Sequence, residues 1–326
     1  MKVIITGGSG FLGLRLMNAI LDKKTLIGQT GETELVKNII LLDASTPRAL
    51  PANFNDDRVS FVEGSITDSK LLNSLIKGGS VSIFHLASVV SAGAEQDFNL
   101  ALDVNLLAIL EAARAAPELP KVVFTSSLAA FGGCAMPDTV TDETKITPMT
   151  TYGMTKAVNE LLLNDYTRKG FLDGRGARLP TVIIRPGKPN KAASGFASGV
   201  FREPLSGINY EVPVNYQTRM AVSGYRTVID GILLLHEINS EDLGDDRSIN
   251  LPSISLTVKE MVDGLHRVAK NRALGKITCV PNTDIQKICD GWPKWALADR
   301  ALALGLPANS SIDEIIHAYI EDYAKL

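Results

Sequence analysis

Cysteine is scarce: Cys134, Cys279 and Cys289 are the only three in 326 residues. They stand far apart or ten positions apart, which excludes a disulfide framework and the paired spacing of a zinc site. Histidine is equally sparse. His85, His236, His266 and His317 are scattered, and no metal motif joins them. No apolar run is long enough to span a bilayer. Cationic excess is missing too: Lys and Arg number 33 against 36 Asp and Glu, a net charge of -3, so there is no basic footprint for nucleic acid. No internal repeat or low-complexity segment is visible. Residues 1–6 lead straight into a strand without the charged and apolar regions of a signal peptide, which predicts a cytoplasmic protein. What remains is ordinary globular composition, 45% hydrophobic and 21% charged, enough for one large or two moderate domains.

The first informative stretch is at the start. Lys2 to Thr6 is β-branched and apolar, as a buried parallel strand would be. Gly7-Gly8-Ser9-Gly10-Phe11-Leu12-Gly13 follows and opens a helical pattern. A glycine-rich turn between strand and helix lets backbone amides approach a pyrophosphate, with the helix N-terminus facing the negative charge. Gly8, Gly10 and Gly13 fit the dinucleotide fingerprint, and Gly7, Gly10 and Gly13 its Gly-x-x-Gly-x-x-Gly variant. A second strand, Asn38 to Leu42, ends at Asp43, whose carboxylate can accept both ribose hydroxyls of NAD and repel a 2′-phosphate. Asp43 lies 30 positions beyond Gly13, and the polar stretch Lys23 to Lys37 accounts for the length.

The strand–helix alternation continues through strands at 59–63, 81–86 and 121–125, with a short helix at 70–76 and a long one at 98–116. Such alternation argues for a parallel sheet covered on both faces, with the ligand beyond the carboxyl ends of its strands. Ser88, Ser91, Ser126 and Ser127 fall at those ends. Tyr152-Gly153-Met154-Thr155-Lys156 then opens a helix. Residues four apart share a helix face, so the phenol and the ammonium point the same way. A nearby cation lowers a tyrosine pKa toward the range of a useful base.

The glycine fingerprint, a strand-end serine and Tyr-x-x-x-Lys together resemble the extended short-chain dehydrogenase/reductase family, of the NAD-dependent epimerase/dehydratase type. The resemblance covers nearly the whole chain. It implies NAD as cofactor, Ser127 as the catalytic hydroxyl, Tyr152 as acid/base and Lys156 as the residue that holds ribose and tunes Tyr152. It further implies cofactor contacts from Gly7, Gly10, Phe11, Leu12, Gly13, Asp43, Ser65, Ile66, Leu86, Ala87, Asn105, Tyr152, Lys156 and Pro186. Asn105 matches a helix asparagine that supports the lysine through water. Ser65 departs from the aspartate that many members carry near the adenine, and Phe131 from a frequent tyrosine. The fold this implies is α/β: a Rossmann-like, doubly wound parallel sheet in residues 1–187 plus 224–252. A smaller, mostly C-terminal substrate-capping domain would take residues 188–223 plus 253–326.

After Thr181 to Arg185, read as a strand, the rhythm breaks into a stretch from 188 to 223 rich in Gly, Ala, Ser, Pro and Asn. Its interleaved Phe196, Val200, Phe201 and Leu205 argue for order, and it reads as the substrate wall. Residues 227–238, 257–270 and 292–323 read as helical, with Thr257 and Glu260 set as a capping box. Within the family, residues 164–175, 179–190, 192–199 and 202–205 are similar to dehydrogenases of a free sugar acid, which implies oxidation of a C2 hydroxyl in a catabolic step. A carboxylated substrate needs a guanidinium suited to its two oxygens, and Arg219 is the candidate. Ser91, Ser127, Tyr152, Asn190 and Ser194 are the candidates for the substrate hydroxyls. The competing readings are a dehydrogenase of another sugar acid, a nucleotide-sugar epimerase, and a non-catalytic NAD-binding scaffold. Leu128 and Ala129 after Ser127 count against a dehydratase, which places acidic residues there. The partners expected are a small sugar acid and a second copy of the chain, joined through the helices near 98–116 and 152–169, without nucleic acid or membrane and without a bound metal.

Overall fold

The computed structural model describes residues 1–46, 55–105, 108–187 and 192–324. Among the described residues, ten strands make up the two larger sheets: β1 (Lys2–Thr6), β2 (Asn38–Asp43), β3 (Val59–Glu63), β4 (Val81–His85), β5 (Lys121–Ser127), β6 (Asp173–Leu179), β7 (Thr181–Ile183), β8 (Arg219–Gly224), β9 (Ser248–Asn250) and β10 (Ile254–Thr257). Twelve helices lie among them: α1 (Phe11–Lys23), α2 (Ser69–Ile76), α3 (Ser91–Gln96), α4 (Phe98–Asn105), α5 (Ala108–Arg114), α6 (Thr151–Arg168), α7 (Phe196–Leu205), α8 (Tyr225–Glu237), α9 (Val258–Ala269), α10 (Thr283–Asp290), α11 (Asp299–Ala303) and α12 (Ile312–Tyr323).

Seven strands form one sheet in the order β9-β6-β5-β4-β1-β2-β3, and every pairing in it is parallel. Both faces are covered, as the near-continuous apolar strands require. Leu16, Met17 and Ile20 of α1 join Val228 and Ile232 of α8 on one face. Leu72 of α2, Leu110 of α5 and Leu163 of α6 cover the other. This is the doubly wound Rossmann-like arrangement expected. The chain reverses its direction of strand addition at β1 and β4, where a crevice opens beyond the carboxyl ends.

The helix expected at 98–116 is found as α4 and α5, with 106–107 outside the described residues. Other elements differ from the sequence expectation for physical reasons. The strand expected at 181–185 is not in the main sheet. That position belongs to β6, whose sequence Asp-Gly-Arg-Gly-Ala-Arg-Leu carries no apolar pattern. Arg175 and Arg178 in it are only 1% and 2% exposed. They are tolerated there because Asp173 pairs with Arg175 at 2.8 Å and Glu160 with Arg178 at 2.8 Å. Those partners are invisible to any periodicity argument.

β7 instead joins a three-stranded sheet, β7-β8-β10, parallel then antiparallel. The stretch read as irregular holds α7 and β8. Phe196, Val200 and Phe201 of α7 pack with Val222, Met261, Leu265, Ile315 and Ile316 into a separate apolar cluster. The capping box at Thr257 and Glu260 is formed, with each side chain bonded to the other's backbone N–H. The polar stretch after α1 pairs Thr25–Ile27 with Thr33–Leu35 as an antiparallel hairpin. Among the described residues, no helix is long and apolar enough to cross a membrane.

Candidate active site

At the end of β1 the chain turns through Gly7, whose φ of +68° is strained for any side-chain-bearing residue. A Cβ at Gly13 would lie 2.4 Å from the Gly7 carbonyl oxygen, so the turn closes onto α1 only with glycine there. A Cβ at Gly7 would stand 2.9 Å from the Ala87 nitrogen, which brings the loop after β4 against the same turn. The α1 N-cap, Gly10, supplies no side-chain cap, and no acidic residue occupies the first helical turn. The helix therefore presents uncapped N–H groups and the positive end of its dipole to the crevice. Asp43 stands at the tip of the adjacent strand, half-buried, and its Oδ2 accepts from Ser9 N at 3.0 Å and Ser9 Oγ at 2.6 Å. A glycine cradle, an uncapped helix start and a fixed carboxylate on the next strand suit a pyrophosphate and a ribose diol. Beyond β3, Ser65 is exposed and paired with Thr67 at 2.7 Å, and Ile66 is buried in the core beneath.

A cleft of about 440 Å³ runs from this turn across the strand ends. Gly7, Gly10, Phe11, Leu12, Gly13, Leu86 and Ser91 line one part of it, and Ser127, Tyr152, Lys156 and Ser194 another. α6 is started by Thr150, whose hydroxyl accepts from Gly153 N at 3.0 Å, and this sets Tyr152 in the first turn with Lys156 one turn on. The Lys156 ammonium donates to the Thr125 carbonyl at 2.7 Å and lies 4.7 Å from the centre of the Phe124 ring and 5.4 Å from that of Tyr152. Ser127 hydrogen-bonds the Tyr152 side chain. Burial pushes Lys156 down to about 7, with the Glu160 carboxylate working against the fall.

The electrostatics correct one expectation. Lys156 was expected to lower the Tyr152 pKa, yet the phenol is raised above its ordinary value. Burial is the largest cause, outweighing the Ser127 hydrogen bond and the positive charge of Arg185. The cation that opposes the rise is thus Arg185, at the end of β7, a half-buried residue lining the cleft.

Other expected site residues are placed differently. Asn105 is 3% exposed, and its side chain clamps the loop after β4 to α6. It accepts from Val89 N at 2.7 Å and Ser88 Oγ at 3.1 Å, and donates to Val89 O and Thr155 Oγ1 at 3.1 Å. Its own carbonyl accepts from Asn159. Arg219 does not line the cleft. Its guanidinium donates to Ser255 O at 3.0 Å, pairs with Glu260 at 3.3 Å and covers the Trp295 ring at 5.2 Å. Its strand neighbours Met220 and Ala221 reach the cleft. Pro186 is half-buried beside Arg185, and Asn190 lies outside the described residues.

Two sets of lining residues went unread in the sequence. Arg185 follows an apolar run directly, and a charged residue at a strand's carboxyl end is a signal that could have found it. Ile288, Trp292 and Pro293 come from α10 and the turn after it, and no local signal marks them.

A model of the NAD dependent epimerase/dehydratase family matches residues 3–223. The chain belongs to this family. This epimerase/dehydratase-family protein is 43% identical over 325 residues to a D-erythronate dehydrogenase of Cupriavidus necator, covering 99% of this chain and 98% of that one. It is 42% identical over 324 residues to a D-erythronate dehydrogenase of Haemophilus influenzae, covering 98% and 99%. Among solved structures, a nucleoside-diphosphate-sugar epimerase from Agrobacterium tumefaciens superposes with a TM-score of 0.89 at 38% identity, over 99% of this chain and 94% of that one.

Proposed function

We propose that this NAD-dependent oxidoreductase oxidises the C2 hydroxyl of D-erythronate to 2-oxo-tetronate. The observation that carries the reading is one cleft wall on which Ser127, Tyr152 and Lys156 meet a half-buried guanidinium, Arg185. The full-length likeness to two D-erythronate dehydrogenases narrows the substrate within sugar acids.

In this reading Tyr152, as phenolate, takes the proton of the C2 hydroxyl, while Ser127 hydrogen-bonds the same oxygen. The charge of Lys156 offsets the phenolate and its ammonium reaches the ribose. NAD, when bound, would supply the acceptor for the hydride lost from C2, which becomes a carbonyl carbon. Gly7 to Gly13 hold the pyrophosphate and Asp43 the ribose diol, which excludes a 2′-phosphate. Leu86 and Ala87 flank the nucleotide, and Ser65 with Ile66 borders the adenine end. Arg185, rather than the Arg219 expected from sequence, takes the substrate carboxylate through two charge-assisted hydrogen bonds. Ser91 and Ser194 serve the remaining hydroxyls. The separate apolar cluster built on α7, α9 and α12 supports a division into a dinucleotide-binding unit and a cap. The protein works in the cytoplasm as a homodimer joined through α4 and α6. Phe98 and Leu100 of α4 and Leu161 of α6 are 53%, 46% and 68% exposed, apolar side chains that a second copy would cover.

The test is NAD reduction over four- to six-carbon aldonates and uronates. D-Erythronate is expected to give the highest kcat/KM, and no signal from it removes the substrate assignment. The likeness to an epimerase structure supports a second reading, in which NAD is recycled within one turnover. Net NADH accumulation separates the two.

A further inference from the structure

α6 carries its catalytic stripe one turn further than Tyr152 and Lys156. The next residue on that face is Glu160, a carboxylate 2% exposed. It accepts a hydrogen bond from the hydroxyl of Ser126. On its other side Arg178 of β6 grips it, with Nε at 3.1 and 3.0 Å and Nη2 at 2.8 Å. Asp142 lies 3.6 Å from the far side of that guanidinium. Ser126 itself is 1% exposed and sits between two residues that touch the catalytic groups. The carbonyl of Thr125 holds the Lys156 ammonium, and the hydroxyl of Ser127 bonds to Tyr152.

We propose that Glu160 and Ser126 are positioning residues for the dehydrogenation. The carboxylate, by fixing Ser126, sets the strand end that carries both the lysine's acceptor and the Ser127 hydroxyl. The inference rests on the roles given above to Ser127, Tyr152 and Lys156.

The charge count supports it. Two buried cations, Lys156 and Arg178, share Glu160, while Asp142 faces Arg178 and Arg300 and accepts from Asn250 N. The other groups facing Lys156 are the Phe124 ring, the Tyr152 phenol and His85, which burial holds at about 3 and therefore neutral. Glu160 is thus the carboxylate that raises the Lys156 pKa against burial. A carboxylate kept only to neutralise Arg178 would have no reason to share a helix face with Lys156 or to hold the residue between Thr125 and Ser127.

The experiment compares the full chain with Ser126→Ala and Glu160→Gln. It reads kcat against pH with D-erythronate and NAD, NADH affinity by fluorescence, and ionisation of Tyr152 by its phenolate absorption against a Tyr152→Phe reference. Ser126→Ala is expected to lower kcat about tenfold, the scale of a misset catalytic contact, at unchanged NADH affinity. Glu160→Gln is expected to move the Lys156 limb of the pH profile down by about one unit and to raise the pH at which Tyr152 ionises. Folded variants with kcat within twofold of the parent and an unmoved Tyr152 titration overturn the inference. If Glu160→Gln does not fold, Ser126→Ala decides it alone. Absence of turnover by the parent chain overturns the proposed function instead, and the phenolate titration then still tests the positioning.

Discussion

Gly153, the residue after Tyr152, gives the sharpest test of the proposed site. A Cβ there would lie 2.1 Å from the Ala129 carbonyl oxygen, against about 3.4 Å for an ordinary contact. Gly153→Ala therefore has to open the α6 start from the turn at 128–130 by about 1 Å. Both sides of that contact carry the chemistry. The turn follows Ser127, whose Oγ accepts from Ala129 N at 3.1 Å. The helix start holds Tyr152 through the Thr150 cap on Gly153 N. A displacement of about 1 Å in a catalytic pair lowers turnover about a hundredfold, while overpacking of this kind costs about 1–3 kcal/mol of stability. The glycine cradle for the dinucleotide lies on β1 and α1 and is not displaced. Steady-state kcat, urea unfolding and NADH fluorescence titration together check the reasoning. The expected pattern is a folded variant, NADH affinity within about threefold, and kcat down about a hundredfold. A kcat within threefold of the parent refutes it, because the close approach would then not set the tyrosine.

Three further outcomes follow from the same geometry. Tyr152→Phe removes the proton acceptor, so kcat should fall by about a hundredfold or more with NADH binding retained, and substantial turnover by the variant would sink the assignment. Arg185→Gln takes away a charge-assisted partner worth about 1.5–3 kcal/mol, so KM for the sugar acid should rise about 10- to 100-fold with little change in NADH affinity; an unchanged KM returns the carboxylate to another residue. Acid should weaken the fold through His85 and His236. Burial holds them neutral, at about 3 and about 4 against an ordinary value of 6.5. Their folded pKa values are depressed, so the unfolded chain binds more protons in that window, and stability is lost as pH falls below 6.5. Between pH 7.5 and 5 the loss is about 2 kcal/mol for each histidine. Urea unfolding at the two pH values reads it, and a total change under about 1 kcal/mol contradicts the burial argument.

The cofactor half of this protein was legible along the chain because its signals are local. Gly7 to Gly13 report a turn whose geometry only glycine allows, Asp43 closes an apolar strand, and Tyr152 with Lys156 needs nothing beyond helical spacing to share a face. The alternation of apolar runs and helical patterns likewise implies a covered parallel sheet. β6 is the contrary case. Its arginines are held inside the sheet by Asp173, two residues before Arg175 on the same strand, and by Glu160, which only the packing of α6 brings to Arg178.

The sequence by itself determined the α/β class, the dinucleotide turn and the tyrosine–lysine stripe, since each depends on neighbours within a few residues. Only the tertiary structure decided which charges surround the phenol. Arg219 points to Glu260 and Trp295, while Arg185 faces Tyr152, because β7 and β8 are placed by an apolar cluster drawn from 183 to 320. It also decided that burial, rather than Lys156, dominates the Tyr152 pKa. Desolvation depends on everything packed around a group, and the spacing of two residues carries no record of it.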